Sequence, residues 1–261
     1  MTRLLIPALC LTLLLGRSPI CTPVEAQTFR TEEEAKATWT VQADALSRQI
    51  EARPGTLRLY SQRGDLRFFL GDFPRAVADY SKMVELDPEV DTSHWRRGIA
   101  YFYAGDFKAA GEQFERYHSY DQVDRENGIW RYLSQRKALG QEKAREGLLK
   151  YEKDDREPFP DVYRLFAGTI EPKAILERIN ESKELSPDER EKRLFYAELY
   201  IGLNEAVEGR NESATRSLKR AVVNTWAEDA GYGPHYMWQV ARLHLEQLQR
   251  AAVPAAETRE P

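Results

Sequence analysis

The sequence predicts an all-α fold made of stacked antiparallel helix pairs. Alanine, leucine, glutamate and arginine recur along the chain while runs of β-branched residues are scarce, which favours helix over strand. A pattern of glycine, alanine and aromatic residues also recurs after 34 residues, a spacing typical of helical-repeat proteins. Hydrophobic residues make up 42% of the chain and charged residues 31%, which is enough apolar material for a packed core.

The first 26 residues differ from the rest and predict a secretory signal peptide. Arg3 gives a positive start, residues 4–15 form a mostly apolar run, and Val24-Glu25-Ala26 provides a cleavage site. The run is shorter than the roughly 20 residues that cross a bilayer, so a retained anchor is the weaker alternative. Cys21 follows a proline and an isoleucine, which fit a bacterial lipidation site poorly. We therefore expect an exported protein, periplasmic or secreted, and do not favour a lipid anchor at Cys21.

The composition gives no sign of a catalytic, metal or cofactor site. Both cysteines, Cys10 and Cys21, lie in the leader, so cleavage after Ala26 leaves none for a disulfide, a nucleophile or a metal. None of the four histidines has metal-binding spacing, and the motifs of phosphate loops, dinucleotide sites and serine nucleophiles do not occur. The net charge of −4, without a long basic block, argues against a nucleic-acid partner. The sequence predicts a non-enzymatic protein without cofactor, metal or small-molecule substrate.

Residues 27–55 predict an N-terminal capping helix, and residues 56–122 contain two copies of one pattern. Shifted by 34 residues, RGDLRFFLGDFPRAVADY aligns with RGIAYFYAGDFKAAGEQF. A mid-helix glycine costs about 1 kcal/mol relative to alanine, so each Arg-Gly pair predicts a close approach by a neighbouring helix. The later glycine suits a left-handed helix end. The predicted structural positions are Gly64, Gly71, Ala76, Tyr80 and Pro88 in the first copy, and Gly98, Gly105, Ala110 and Phe114 in the second.

These positions resemble the tetratricopeptide repeat family, whose helix pairs share the same glycines, alanine, aromatic residue and closing proline. Arg63 and Arg67 depart from the family pattern, because those positions are usually apolar, and Gln122 stands where the second repeat would have proline. The resemblance implies an α-solenoid with a right-handed superhelical twist. It also implies that the first helix of each pair lines a concave groove.

Residues 123–250 predict divergent helical repeats and a C-terminal capping helix. Ile129 to Leu149 fits a further unit with a slip in register, and residues 195–223 repeat the earlier glycine spacing through Gly202 and Gly209. Between these units the chain predicts two short helices broken at Gly168 and another helix opened by a serine-proline start.

The C-terminal residues predict the capping helix. Apolar residues recur at helical spacing over residues 236–249, and residues 251–261 predict a disordered tail.

The order of the segments resembles one branch of this family, the exported bacterial lipoprotein NlpI and its relatives. The resemblance rests on the two repeats, followed by WRYLSQRKALGQEKAREGLL, DVYRLFAGTIE and SATRSLKRAV. It implies a homodimeric envelope adaptor that brings peptidoglycan-modifying and proteolytic enzymes together.

The groove implied by the resemblance carries aromatic and charged residues, a composition typical of protein-binding hot spots. The alternative for Trp95 and Trp130 is that they belong to the core. Two other functions stay open: a self-associating structural module, and an envelope hydrolase with an unrecognised site. The predicted protein-binding residues are Arg58, Ser61, Asp65, Phe68, Trp95, Arg96, Ile99, Phe102, Tyr103 and Trp130.

Overall fold

The computed structural model describes residues 31–252. The predicted signal peptide, both cysteines and residues 253–261 of the predicted tail lie outside the described residues. The all-α prediction is confirmed for the described part of the chain, which consists of helices and their connections.

Thirteen α-helices and one short 3-10 helix (Pro88–Val90) occur within the described residues. The helices are α1 (Glu32–Ala52), α2 (Leu57–Phe69), α3 (Phe73–Leu86), α4 (Trp95–Tyr103), α5 (Phe107–Tyr120), α6 (Arg125–Leu139), α7 (Gln141–Glu146), α8 (Phe159–Phe166), α9 (Pro172–Glu181), α10 (Pro187–Val207), α11 (Asn211–Val223), α12 (Trp226–Asp229) and α13 (Tyr232–Ala252).

Helices that follow one another in sequence also pack against one another. The most extensive contacts join α10 with α11, α2 with α3, α5 with α6, α1 with α2, and α4 with α5. Three residues join α2 to α3, and the same number joins α4 to α5. Gly71 and Gly105 lie in these two turns with φ of 78° and 85°, a backbone conformation that glycine adopts without strain.

One contact recurs in three of these pairs and explains the mid-helix glycines. A Cβ atom added to Gly64 would lie 2.6 Å from the ring of Tyr80, and one added to Gly98 would lie 2.6 Å from the ring of Phe114. In the α10–α11 pair, a Cβ on Gly202 would lie 2.7 Å from Leu218. In each pair the large side chain fills the space that the glycine leaves, so the two helices approach closely.

The two arginines that depart from the repeat pattern neutralise one buried acid. Asp79 on α3 is only 2% exposed, and the guanidinium groups of Arg63 and Arg67 lie 2.7 and 2.8 Å from its carboxylate oxygens. A buried carboxylate is tolerated only when it is paired in this way. The charged residues therefore replace apolar packing between α2 and α3 with an ion-pair cluster.

The C-terminal helix packs against α11 and α12, and it also turns back along the inner side of the array. α13 lies against the sides of α2 and α4 that carry Phe68 and Tyr103, and it reaches α1, where Lys36 lies 3.4 Å from Glu246. The Arg242 guanidinium donates to the backbone carbonyl of Phe69 at 2.6 Å. α13 has more contacts than the sequence predicted for a cap, because it is apolar enough to be buried: Tyr236, Val240 and Ala241 are each 0% exposed.

Candidate binding cleft

The sides of α2, α4 and α6 that carry Phe68, Trp95 and Trp130 form the inner face of the array. The sequence predicted an open groove here, but α13 covers its larger part. Phe68 is 0% exposed and stacks on Tyr236, with ring centroids 4.8 Å apart. Ile99, Phe102 and Trp130 are also buried. The prediction of a freely accessible aromatic groove is therefore wrong for these four residues: α13 covers Phe68, and the rings of Phe102 and Trp130 pack against each other with centroids 5.6 Å apart.

The region around Phe68, Tyr103, Tyr236, Arg242 and His244 is here called the sealed region. The Tyr103 hydroxyl and His244 Nδ1 are 3.1 Å apart, and the Tyr103 ring packs edge-on against Phe68. Burial lowers the pKa of His244 to about 4, with a smaller contribution from Lys137. No space for a partner polypeptide is left between these side chains.

Three polar residues of the predicted groove also bond within the chain. Arg96 donates to Asp65 at 2.7 Å and to Ser61 at 3.1 Å. The hydroxyls of Tyr80 and Tyr232 donate to the same Asp65 carboxylate at 2.7 and 2.8 Å. This network joins α2, α3, α4 and α13, so its charges serve the fold. Arg58, the remaining predicted residue, is exposed on α2.

One part of the inner face stays accessible, between the first turns of α4, α6 and α13 and the side of α10. It forms a cleft of about 310 Å³, at the lower end of the size range of ligand sites. Trp95 lies at its edge, half-buried, with its ring against Tyr236 at 4.9 Å. The cleft is lined by Trp95, Ile99, Phe114, Tyr117, Asp124, Glu126, Asn127, Trp130, Arg156, Tyr196, Gly233, Pro234 and Met237.

The acidic side of the cleft is the start of α6. Asp124 is the N-cap, and its carboxylate accepts from the backbone N–H of Glu126 at 3.0 Å. Glu126 accepts from the hydroxyl of Tyr200, which in turn accepts from the Trp130 indole at 3.2 Å. The capping geometry therefore fixes one carboxylate, and a chain of aromatic hydrogen bonds fixes the other.

A single cation, Arg156, faces these acids from the segment between α7 and α8. Its guanidinium lies 2.5 Å from Glu126, 3.5 Å from Asp124 and 3.4 Å from Asp155. Its CZ atom lies 4.2 Å from the centroid of the Phe159 ring. The side chain is 41% exposed, so Arg156 stands at the mouth of the cleft.

Burial and mutual repulsion disturb the titration of the two cleft acids. Burial, the largest cause, raises the pKa of Glu126 together with the nearby Asp124 and Asp155; Arg156 and the Tyr200 hydrogen bond oppose the rise, and the resulting pKa is about 7. Burial also raises the pKa of Asp124, against the effect of Arg156. One cation does not fully compensate the buried carboxylates, so the cleft favours additional positive charge, supplied by a proton or by a ligand.

Beside the acids, Asn127 lines the cleft with no hydrogen-bond partner. The residue is 3% exposed, and neither its Nδ2 nor its Oδ1 is bonded. The Asn127 amide interacts with the Tyr151 hydroxyl and lowers the pKa of that tyrosine, against the larger effect of burial, but neither group makes a hydrogen bond of acceptable geometry. Buried amides are nearly always hydrogen-bonded, so this one marks a place where a ligand group can bind.

Sequence reasoning found Trp95, Ile99 and Trp130 but missed the polar half of the cleft. Asp124 and Glu126 carry a readable signal, since an aspartate followed by a charged first turn is typical of a helix start. No signal could have placed Arg156 or Tyr196 beside them, because 30 or more positions separate them from Glu126 in the sequence.

No protein-family model matches the chain. Within residues 31–252, no group of three or more histidine, cysteine, aspartate or glutamate side chains is arranged to hold a metal ion. None of the described helices has the length and apolar composition needed to cross a membrane.

Proposed function

We propose that this protein is an exported adaptor of the tetratricopeptide repeat type that binds partner polypeptides through the cleft. The repeat assignment is supported by the 34-residue pattern and by the equivalent glycine–aromatic contacts of α2–α3 and α4–α5. Export is supported by the composition of residues 1–26. The binding role is supported by an accessible aromatic cleft on the face that such repeats use for recognition.

The position and exposure of Trp95 are the observation that carries the binding role. Trp95 is the predicted groove residue that both lines the cleft and is still half-exposed. A partly exposed tryptophan beside a small cavity has the composition of a binding hot spot, since it offers a large contact area at little entropic cost. By resemblance to the NlpI branch, the proposed partners are peptidoglycan-modifying or proteolytic enzymes of the envelope.

Site-specific photo-crosslinking in intact cells tests the binding role. A photoreactive amino acid at Trp95 should capture a defined partner, whereas the same amino acid at Trp238 should not. Trp238 is a matched control because it is also half-buried, but its indole donates to the backbone of α11 and lies outside the cleft. Binding of the purified partner should then be lost with Trp95→Ala and kept with Trp238→Ala. Equal capture at both positions would remove the support for this surface.

A second candidate, an envelope hydrolase, is favoured by one observation. Glu126 has a pKa near 7 and sits in an aromatic cleft beside a second carboxylate, as general acids of glycoside hydrolases do. Incubation with purified peptidoglycan distinguishes the two functions. Release of soluble fragments by the unmodified protein, but not by Glu126→Gln, would establish the hydrolase. If the polymer stays intact, the adaptor proposal stands.

A further inference from the structure

The cleft holds more negative than positive charge, and its one cation is already engaged. Asp124 and Glu126 line it, Asp155 stands behind them, and Arg156 is the only cation among the lining residues. The guanidinium of Arg156 lies closest to Glu126 and also pairs with Asp124 and Asp155, at 3.5 and 3.4 Å, so three acids share one cation. Asp124 therefore keeps capacity for a second cation.

Aromatic rings form the opposite walls. Trp95, Tyr117, Trp130 and Tyr196 all line the cleft, and Trp95 lies at its edge. A cation beside an aromatic face gains electrostatic attraction from the ring, and the attraction increases where water is excluded. Carboxylates on one side and aromatic rings on the other favour an organic cation with a flat, partly apolar surface.

Asn127 adds an independent sign of a ligand. Its amide is buried, lines the cleft and has neither a donor nor an acceptor bonded to it. The Oδ1 atom has no hydrogen-bond donor and is available to a ligand N–H. A group with several N–H donors can satisfy more than one of the acceptors that line the cleft.

We propose that the cleft binds the guanidinium group of an arginine side chain on the partner polypeptide. The inference rests on the proposed function, because it names the chemistry of the segment that the cleft would recognise. Arginine fits better than lysine because its planar fork pairs with carboxylates and also stacks on aromatic rings. The volume of about 310 Å³ admits one long side chain but not a helix.

Calorimetry tests this proposal by measuring how three short peptides bind to the unmodified full-length chain. The probes are acetyl-Gly-Arg-Gly-amide, its citrulline analogue and its glutamate analogue. Citrulline keeps the shape and most N–H groups of arginine but lacks the charge. We expect the arginine peptide to bind at least about tenfold more tightly than the citrulline peptide, because charge-assisted hydrogen bonds are about twice as strong as neutral ones.

Variants locate the binding. Glu126→Gln should lower the affinity for the arginine peptide by about tenfold. Asp124→Asn should also lower this affinity while keeping the α6 cap. Glu198→Gln is the matched control, since Glu198 is also a buried acid paired with one arginine, Arg220, but lies outside the cleft. The Glu198→Gln variant should bind the arginine peptide with the same affinity as the unmodified protein.

Several results would overturn the proposal. Equal affinities for arginine and citrulline, or no saturable binding of either peptide, would exclude a charge-selective site. Preference for the glutamate peptide would show that Arg156 recognises an anion. If the partner captured at Trp95 still binds but the arginine peptide does not compete with it, this inference fails and the proposed function stands. If no partner depends on Trp95, the proposed function itself fails, whichever peptide binds.

Discussion

The inner face of the array has two parts with different exposure, although both are built from α4 and its neighbours. Near the ends of α2 and α4, Phe68 and Tyr103 are covered by α13. Near the starts of α4 and α6, Trp95 and Glu126 face the cleft. The sealed region satisfies its polar groups internally, whereas the cleft leaves Asn127 without a partner and its acids only partly neutralised. The first arrangement serves stability and the second leaves capacity for a ligand.

The largest expected difference lies between two aromatic truncations. Phe68→Ala should lower the free energy of unfolding by about 3–5 kcal/mol, because it opens a cavity among fully buried rings. Trp95→Ala should cost only about 1–2 kcal/mol, since its side chain is half-exposed in the folded state. Urea unfolding followed by circular dichroism measures both. Similar losses would contradict the division into a sealed and an open part.

Removal of a carboxylate should separate the same two regions. Asp65→Asn should destabilise the protein by about 3 kcal/mol, because it leaves Arg96 without its charge partner in a partly buried network. Glu126→Gln should cause no loss of stability, since burial already disfavours the ionised carboxylate and the partly exposed Arg156 keeps two other acids. The measurement is urea unfolding at pH 8, where wild-type Glu126 is ionised. A loss for Glu126→Gln would make the cleft acids structural.

The pH dependence of stability should have opposite signs in the two regions. The pKa of His244 is lowered to about 4, so the unfolded state binds the proton first and His244 costs stability as pH falls from about 6.5 to 4. The pKa of Glu126 is raised to about 7, so the folded state binds the proton first and Glu126 adds stability as pH falls from about 7 to 4.5.

Each effect should amount to roughly 1–3 kcal/mol across its window. The groups that face His244 are Tyr103 and Lys137. The groups that face Glu126 are Asp124, Asp155, Arg156, Tyr196 and Tyr200. Stability curves from pH 4 to 8 for His244→Gln and Glu126→Gln check the signs. His244→Gln should reduce the loss on acidification, and Glu126→Gln should increase it; the reverse result would contradict the assigned environments.

The smallest expected effect separates folding from binding within the cleft. Asp124→Ala removes the α6 cap and should cost about 1 kcal/mol. Asp124→Asn keeps a capping oxygen and should leave the melting temperature nearly unchanged. The same variant should have a lower affinity for the arginine peptide. If both variants bound that peptide as well as the unmodified chain, Asp124 would be a cap and no part of the ligand site.

Much of the local structure could be predicted because its causes are local. α1 (Glu32–Ala52) lies within the segment 27–55 that predicted a helix, and α10 begins at Pro187, where the predicted serine-proline start places it. The end of the chain was less predictable. α13 begins at Tyr232 and runs to Ala252, into the predicted tail, because apolar contacts and an ion pair with α1 extend it.

The sequence by itself determined the helices, their turns and the glycine–aromatic contacts between paired helices. These features depend on residues within one repeat, where spacing alone brings them together. Only the tertiary structure decided which part of the inner face is open. Tyr236 reaches Phe68, and Arg156 reaches Glu126, through contacts between distant parts of the chain. Burial of α13 removes more apolar surface from water than an exposed cap would, and no local pattern encodes where that burial occurs.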